Sequence, residues 1–168
     1  MEILYEDNHI IIVNKQAGEI IQGDKTGDRT VADEIKAYLK EKYNKPGAVF
    51  LGIPHRLDRP VSGVSIFART SKALARLNEM FRKGEIEKTY QAIVIHEPQI
   101  ASGTLEHWLT RNEKQNKAYA YKAPRENAKK AILDYEVVAK SDRYWLINVQ
   151  LHTGRHHQIR CQLAAIGC

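Results

Sequence analysis

The residues best suited to chemistry stand in two short stretches, His55-Arg56-Leu57-Asp58-Arg59-Pro60-Val61-Ser62-Gly63 and Leu151-His152-Thr153-Gly154-Arg155-His156-His157-Gln158-Ile159-Arg160. The first sets one carboxylate, Asp58, between two guanidiniums, and Pro60 with Ser62-Gly63 marks a turn rather than the interior of a helix or strand. An acid displayed on a loop among cations is suited to attack as a carboxylate or to stabilise positive charge developing on a substrate. No second Asp or Glu accompanies Asp58 in either stretch. A glycosidase or nucleoside hydrolase, which needs an acid-donating carboxyl beside the first, therefore finds no partner acid here.

Three imidazoles, His152, His156 and His157, invite a metal reading, but no HExxH or paired CxxC accompanies them. His156 and His157 are adjacent and are expected to diverge on a helix, so no metal and no cofactor is expected. Ser62 lacks the GxSxG elbow of a nucleophilic serine. Cys161 and Cys168 have no second pair, which argues against a disulfide framework or zinc ribbon and points to a reducing compartment.

With 168 residues, the chain is expected to form a single domain, 1–168. No signal-peptide pattern and no apolar run near the roughly 20 residues of a membrane span occurs, so a cytoplasmic protein with no membrane partner is expected. The net charge of +6 is modest, and the pI is near 9.3. Its distribution is more informative. Arg111, Lys114, Lys117, Lys122, Arg125, Lys129 and Lys130 crowd one region, which suits either a polyanion or a solvated loop.

The elements that must position these residues read as α/β of the α+β type, a mixed, largely antiparallel sheet with helices packed on it. A hairpin around Glu6-Asp7-Asn8 opens the chain, with the run Ile10-Ile11-Ile12-Val13 after the turn. The stretch from Lys15 to Gly27 is polar. Thr30 and Asp33 predict a capping box ahead of a helix through Val31, Ile35, Tyr38 and Leu39. Residues 64–68 read as a strand directly after Asp58, and Thr70 or Ser71 starts a second helix that carries Leu74, Leu77 and Phe81 and stops at Gly84. Strands follow at 88–95, 103–108, 131–138 and 144–151. A third helix carries Ile159, Leu163 and Ile166 and stops at Gly167. Arg155 and Arg160 share a face only if that helix begins between them.

In these motifs the chain resembles the RluA-type RNA pseudouridine synthases. Residues 11–18 resemble the family's opening motif, 55–63 its catalytic motif, Lys88-Thr89-Tyr90 its aromatic motif and 153–160 its closing basic motif. The resemblance implies the pseudouridine synthase fold with an active-site cleft, and an isomerase acting without a cofactor on uridines of structured ribosomal or transfer RNA. It implies that Asp58 is the catalytic aspartate, Tyr90 contacts the target base and Arg160 pairs with Asp58. Arg155 is then left for RNA phosphate, His55, His157 and Gln158 for bracing the site or contacting RNA, and Arg56 for RNA binding, base flipping or bracing the loop. Whether Asp58 attacks the ribose or the pyrimidine stays open.

Alternation through Tyr90, Ala92 and Val94 equally describes the inward face of a strand. Val61 stands where the family usually has Thr, which removes a hydroxyl. The family's sequence normally continues past Cys168 into further strands, so those strands are expected to be missing, and there is no room for an N-terminal S4 domain. The rival from another class is a non-catalytic RNA-binding module on the same fold. Oligomeric state and the particular RNA are not encoded in these motifs.

Overall fold

The computed structural model describes residues 1–23 and 27–168. The polar stretch between Lys15 and Gly27 thus lies, at 24–26, outside the described residues. Among the described residues, eight strands and three helices divide into two compact units, Met1–Glu85 and Ile86–Cys168. No helix among them is long and apolar enough to cross a membrane.

In the first unit, β1 (Glu2–Glu6) and β2 (Ile10–Lys15) form the expected hairpin, and β3 (Gly63–Ala68) pairs antiparallel with the other edge of β2. Asp7 shapes the turn, its Oδ1 accepting the N–H groups of His9 and Ile10, each at 2.7 Å. Period-two alternation buries Ile11, Val13 and Lys15 on one face of β2. Helix α1 (Val31–Lys42) lays Val31, Ile35 and Leu39 into a cluster with Ile11, Val13 and Phe67. Each such side chain taken from water contributes roughly 1.5–3 kcal/mol. Thr30 and Asp33 form the capping box that the spacing predicts. Helix α2 (Ser71–Lys83) starts at a Thr70 cap and ends where Gly84 turns left-handed at φ 74°.

The second unit is a five-stranded antiparallel sheet in the order β4-β8-β7-β5-β6, made of β4 (Thr89–Val94), β5 (Ser102–Asn112), β6 (Lys117–Tyr121), β7 (Lys129–Lys140) and β8 (Trp145–Leu151). Helix α3 (Gln158–Ala165) adds Leu163 to a core containing Leu133, Ile147 and Val149. The α+β class stands, with one correction: instead of one mixed sheet there are two, and every strand pair in them is antiparallel. Strand β6 also escapes the sequence reading, because its inward positions are the small Ala118 and Ala120 rather than β-branched residues. Its hairpin partner β5 consequently runs four residues beyond Trp108.

Candidate active site

The residues singled out for chemistry fall into two sets, one in each unit. In the first unit Asp58 is half-buried and opens a four-residue turn closed by the Val61 N–H donating to the Asp58 carbonyl at 3.0 Å. This turn feeds β3, whose first residue, Gly63, is the antiparallel partner of Lys15. Lys15 is fully buried. Its Nζ donates to the carbonyls of Gln16 at 3.1 Å, Arg59 at 3.2 Å and Val61 at 2.6 Å. The Gly18 N–H adds a second donor to the Arg59 carbonyl at 2.8 Å. Burial pushes the Lys15 ammonium's pKa down, and the carboxylates of Glu19 and Asp58 pull against that shift. A buried cation thus holds the backbone that follows Asp58 and interacts with its charge.

Lys15 was not singled out by sequence reasoning. The signal was available: Ile11, Val13 and Lys15 share one face of β2, so a charge stands where the pattern demands a buried side chain.

His55 is occupied by structure. The Ile66 N–H donates to its Nε2 at 3.0 Å, which fixes that nitrogen as an acceptor, and the ring lies 5.1 Å from Phe81 of α2. This hydrogen bond ties the segment before Asp58 to β3. Arg56 is exposed, and Arg59 forms an ion pair with Asp28 at 2.5 Å. Both partners of that pair are about half exposed, so its contribution to stability is small.

In the second unit Tyr90 sits on β4 opposite Val149, half-buried against the core together with Ala92. Helix α3 begins at Gln158, between Arg155 and Arg160, and Arg160 is exposed on it. Arg155 is exposed as well, with its Nε donating to the Lys130 carbonyl at 3.0 Å. Gln158 is buried and its amide is consumed: Oε1 accepts from the Thr153 hydroxyl at 2.8 Å and the Arg155 N–H at 2.9 Å, while Nε2 donates to the Ile132 carbonyl at 3.1 Å. Gln158 thus ties Thr153, the Arg155 backbone and the Ile132 carbonyl together.

The imidazoles behave differently from the expectation. His156 and His157 precede α3 and stack, centroids 3.7 Å apart, instead of diverging, because His157 takes the left-handed conformation at φ 51°. His152 instead lies 2.5 Å from Asp134, which also accepts from Thr104 at 2.6 Å. The Thr104 hydroxyl first, and then His152, hold the Asp134 carboxyl below its usual range. Among the described residues no group of three or more His, Cys, Asp and Glu is arranged to hold a metal ion.

Comparison with known proteins bears on this arrangement. The model of the RNA pseudouridylate synthase family matches residues 9–165. An uncharacterized RNA pseudouridine synthase of Chlorobaculum parvum is 38% identical, over 98% of this chain and 52% of that protein. The ribosomal large subunit pseudouridine synthase D of Escherichia coli K12 is 31% identical, over 99% of this chain and 49% of that protein. The chain thus spans about half the length of the curated relatives it matches. Among solved structures, human RNA pseudouridylate synthase domain containing 4 superposes with a TM-score of 0.81 at 24% identity, covering 98% of this chain and 64% of that one, a likeness of fold. The family match embraces both motif stretches and the strands and helices that carry them, and on that ground this chain belongs to the RNA pseudouridylate synthases, of the RluA type.

Proposed function

We propose that residues 1–168 form a catalytic domain that isomerises uridine to pseudouridine in structured RNA, ribosomal or transfer, with Asp58 as the catalytic carboxylate. The family match over residues 9–165 carries this reading, since it includes the Asp58 turn, Tyr90 and Arg160 in the family's order. The reaction breaks the N1–C1′ bond, turns the detached uracil and joins C5 to the same sugar carbon. The proton leaving C5 is balanced by the one gained at N1, so atoms and electrons close without a co-reactant. A carboxylate serves either by bonding covalently to the intermediate or by stabilising positive charge at C1′.

The base must leave its stack, at a cost of a few kcal/mol. Tyr90 offers an aromatic face to receive it, and base–aromatic stacking returns roughly 1–3 kcal/mol. Arg160 is assigned to Asp58, Arg155 and Arg56 to RNA, and His55, His157 and Gln158 to holding the two loops in shape. The hold of Lys15 on the turn after Asp58 supports this assignment, because a reacting carboxylate gains from a backbone that does not move.

The test is release of tritium from RNA labelled at uridine C5. The native chain is expected to release it, and Asp58→Asn to abolish release while RNA binding persists. A native chain that binds RNA without releasing tritium would make it a binding module. Free uracil among the products would make it a hydrolase.

A further inference from the structure

The outer face of the β5–β6 hairpin, remote from the catalytic motifs in sequence, carries a row of aromatic rings set among cations. Antiparallel register puts Trp108 opposite Tyr121 and Thr110 opposite Tyr119, so the three rings share one face of the sheet. The opposite face there carries Ala118 and Ala120, and β6 packs on α3. Arg125 lays its guanidinium 4.2 Å from the centre of the Tyr121 ring, and Lys130 reaches over Trp108 at 5.9 Å. Tyr119, 42% exposed, opens onto a groove lined by Thr110, Arg111, Asn112, Glu113, Lys114 and Tyr121, in which Glu113 pairs with Arg111 at 3.7 Å. Between residues 111 and 130 there are seven Lys or Arg and two Glu, a net +5 in a chain whose total is +6.

The seven cations are exposed, but the hairpin tip that carries three of them is hydrogen-bonded. The Tyr119 hydroxyl donates to Gln115 Oε1 at 2.7 Å, and Asn112 binds the same residue through its Nδ2 at 3.2 Å and its Oδ1 at 3.1 Å. Asn116 takes the left-handed conformation at φ 49° that lets the tip turn back. The Tyr119 hydroxyl thus joins the strand to the hairpin tip, while its ring face stays exposed. Tyr119 and Tyr121 lie two residues apart on one strand, about 7 Å, a repeat that an extended single strand can follow.

Resting on the proposed RNA substrate, we infer that this face is a second RNA-binding surface, specific for single-stranded nucleotides. One base stacks on Tyr119 and a neighbour on the guanidinium that covers Tyr121. Lys114 and Lys117 meet the phosphates. Ring and guanidinium planes recognise unstacked bases and are useless against a closed duplex, whose base faces are covered. Arg155, tied to the Lys130 carbonyl, extends the same basic edge toward the closing motif.

The test uses the full chain and two probes without uridine, so that no isomerisation can occur: a short oligocytidylate, and the same strand annealed to oligoinosinate. Binding is read by fluorescence anisotropy. Tyr119→Ala and Arg125→Ala are each expected to weaken single-strand binding about fivefold or more, the low end of one lost stack, and to change duplex binding by less than about twofold. Tyr119→Phe is expected to bind like the native chain. Equal losses on strand and duplex would leave a mere charged surface, and native-like binding by Tyr119→Ala would leave no surface at all. Tyr119→Phe failing along with Tyr119→Ala would assign the hydroxyl to holding the hairpin and remove the stacking role. Any of these three overturns the inference. The readout is independent of Asp58, so failure of the isomerase reading and failure of this surface register in different assays.

Discussion

The Lys15 ammonium lies 2.6 Å from the carbonyl oxygen of Val61, inside the core of the first unit and three residues beyond Asp58. Lysine is almost never fully buried unless paired. Here the compensation comes from three backbone carbonyls and from the charges of Glu19 and Asp58. The cation is therefore a fastener for the turn that displays the acid.

Lys15→Met removes that fastener and keeps the volume. The carbonyls of Gln16, Arg59 and Val61 each lose a donor, and Gln16 and Arg59 keep the N–H groups of Glu19 and Gly18, so the cost, about 2 kcal/mol, falls mainly on Val61. Thermal unfolding is expected to shift down accordingly. Tritium release is expected to fall by about tenfold or more, as misplaced reacting groups do, with RNA affinity little changed. Lys15→Arg should not rescue the rate, because a planar fork cannot repeat the three-carbonyl geometry of an ammonium. Native turnover by Lys15→Met would detach Lys15 from the chemistry.

Gly52 exchanges two backbone hydrogen bonds with Ala68, at 2.8 and 2.9 Å, and so docks the segment leading to His55 and Asp58. A Cβ on Gly52 would meet Leu74 of α2 at 2.8 to 3.0 Å. Gly52→Ala is expected to cost about 1–2 kcal/mol by overpacking. Leu74→Ala, itself destabilising, should be less so in the Gly52→Ala background. A double-mutant cycle by urea denaturation measures that coupling, and strict additivity would show that the two positions do not compete for space.

How far the sequence discloses this molecule depends on where the signal resides. Local signals survive well: the Thr30–Asp33 box, the Thr70 cap and the Gly84 stop each act within a few residues and appear where the spacing puts them. The β5–β6 hairpin fails as a sequence signal because Ala118 and Ala120 form an apolar face too small to register as alternation, while its lysines suggest a loop. Asp58 is legible through its turn chemistry. The fates of His55 and Gln158 are not, because each is decided by a backbone group distant in sequence, the Ile66 N–H and the Ile132 carbonyl. His156 and His157 mislead for a further reason: adjacent residues diverge on a helix, and the left-handed turn at His157 that places both rings before α3 leaves no mark in composition.

Gln158 links Thr153, the Arg155 N–H and the Ile132 carbonyl through one amide. Gln158→Ala strips all three, with an expected loss of about 2 kcal/mol. The Arg155 amide should then exchange its hydrogen faster, and RNA affinity should fall because Arg155 is no longer held in place. Hydrogen exchange resolved at Arg155 is the decisive measurement, and unchanged protection there would remove Gln158 from the bracing role.

Glu6 accepts from the Tyr38 hydroxyl at 2.8 Å, Lys42 at 2.8 Å, the Tyr43 hydroxyl at 2.7 Å and Arg69 at 3.0 Å, joining β1 to α1 and to the end of β3. Burial by itself raises the pKa of this carboxyl, but hydrogen bonds from Lys42, Tyr43 and Tyr38 outweigh it and hold the group at about 2. A carboxyl depressed in the folded state gives stability that is complete above its unfolded pKa, near 4.5, and that drains away as pH falls toward about 2. One pKa unit is about 1.4 kcal/mol, and Lys42 is nearly half exposed, so the contribution is on the order of 2 kcal/mol rather than the full shift. Glu6→Gln is expected to lose that amount at neutral pH and to show a flatter decline of stability below pH 4.5. Urea denaturation at constant ionic strength across this window compares the two slopes. Parallel slopes would mean that acid sensitivity of the first unit arises elsewhere.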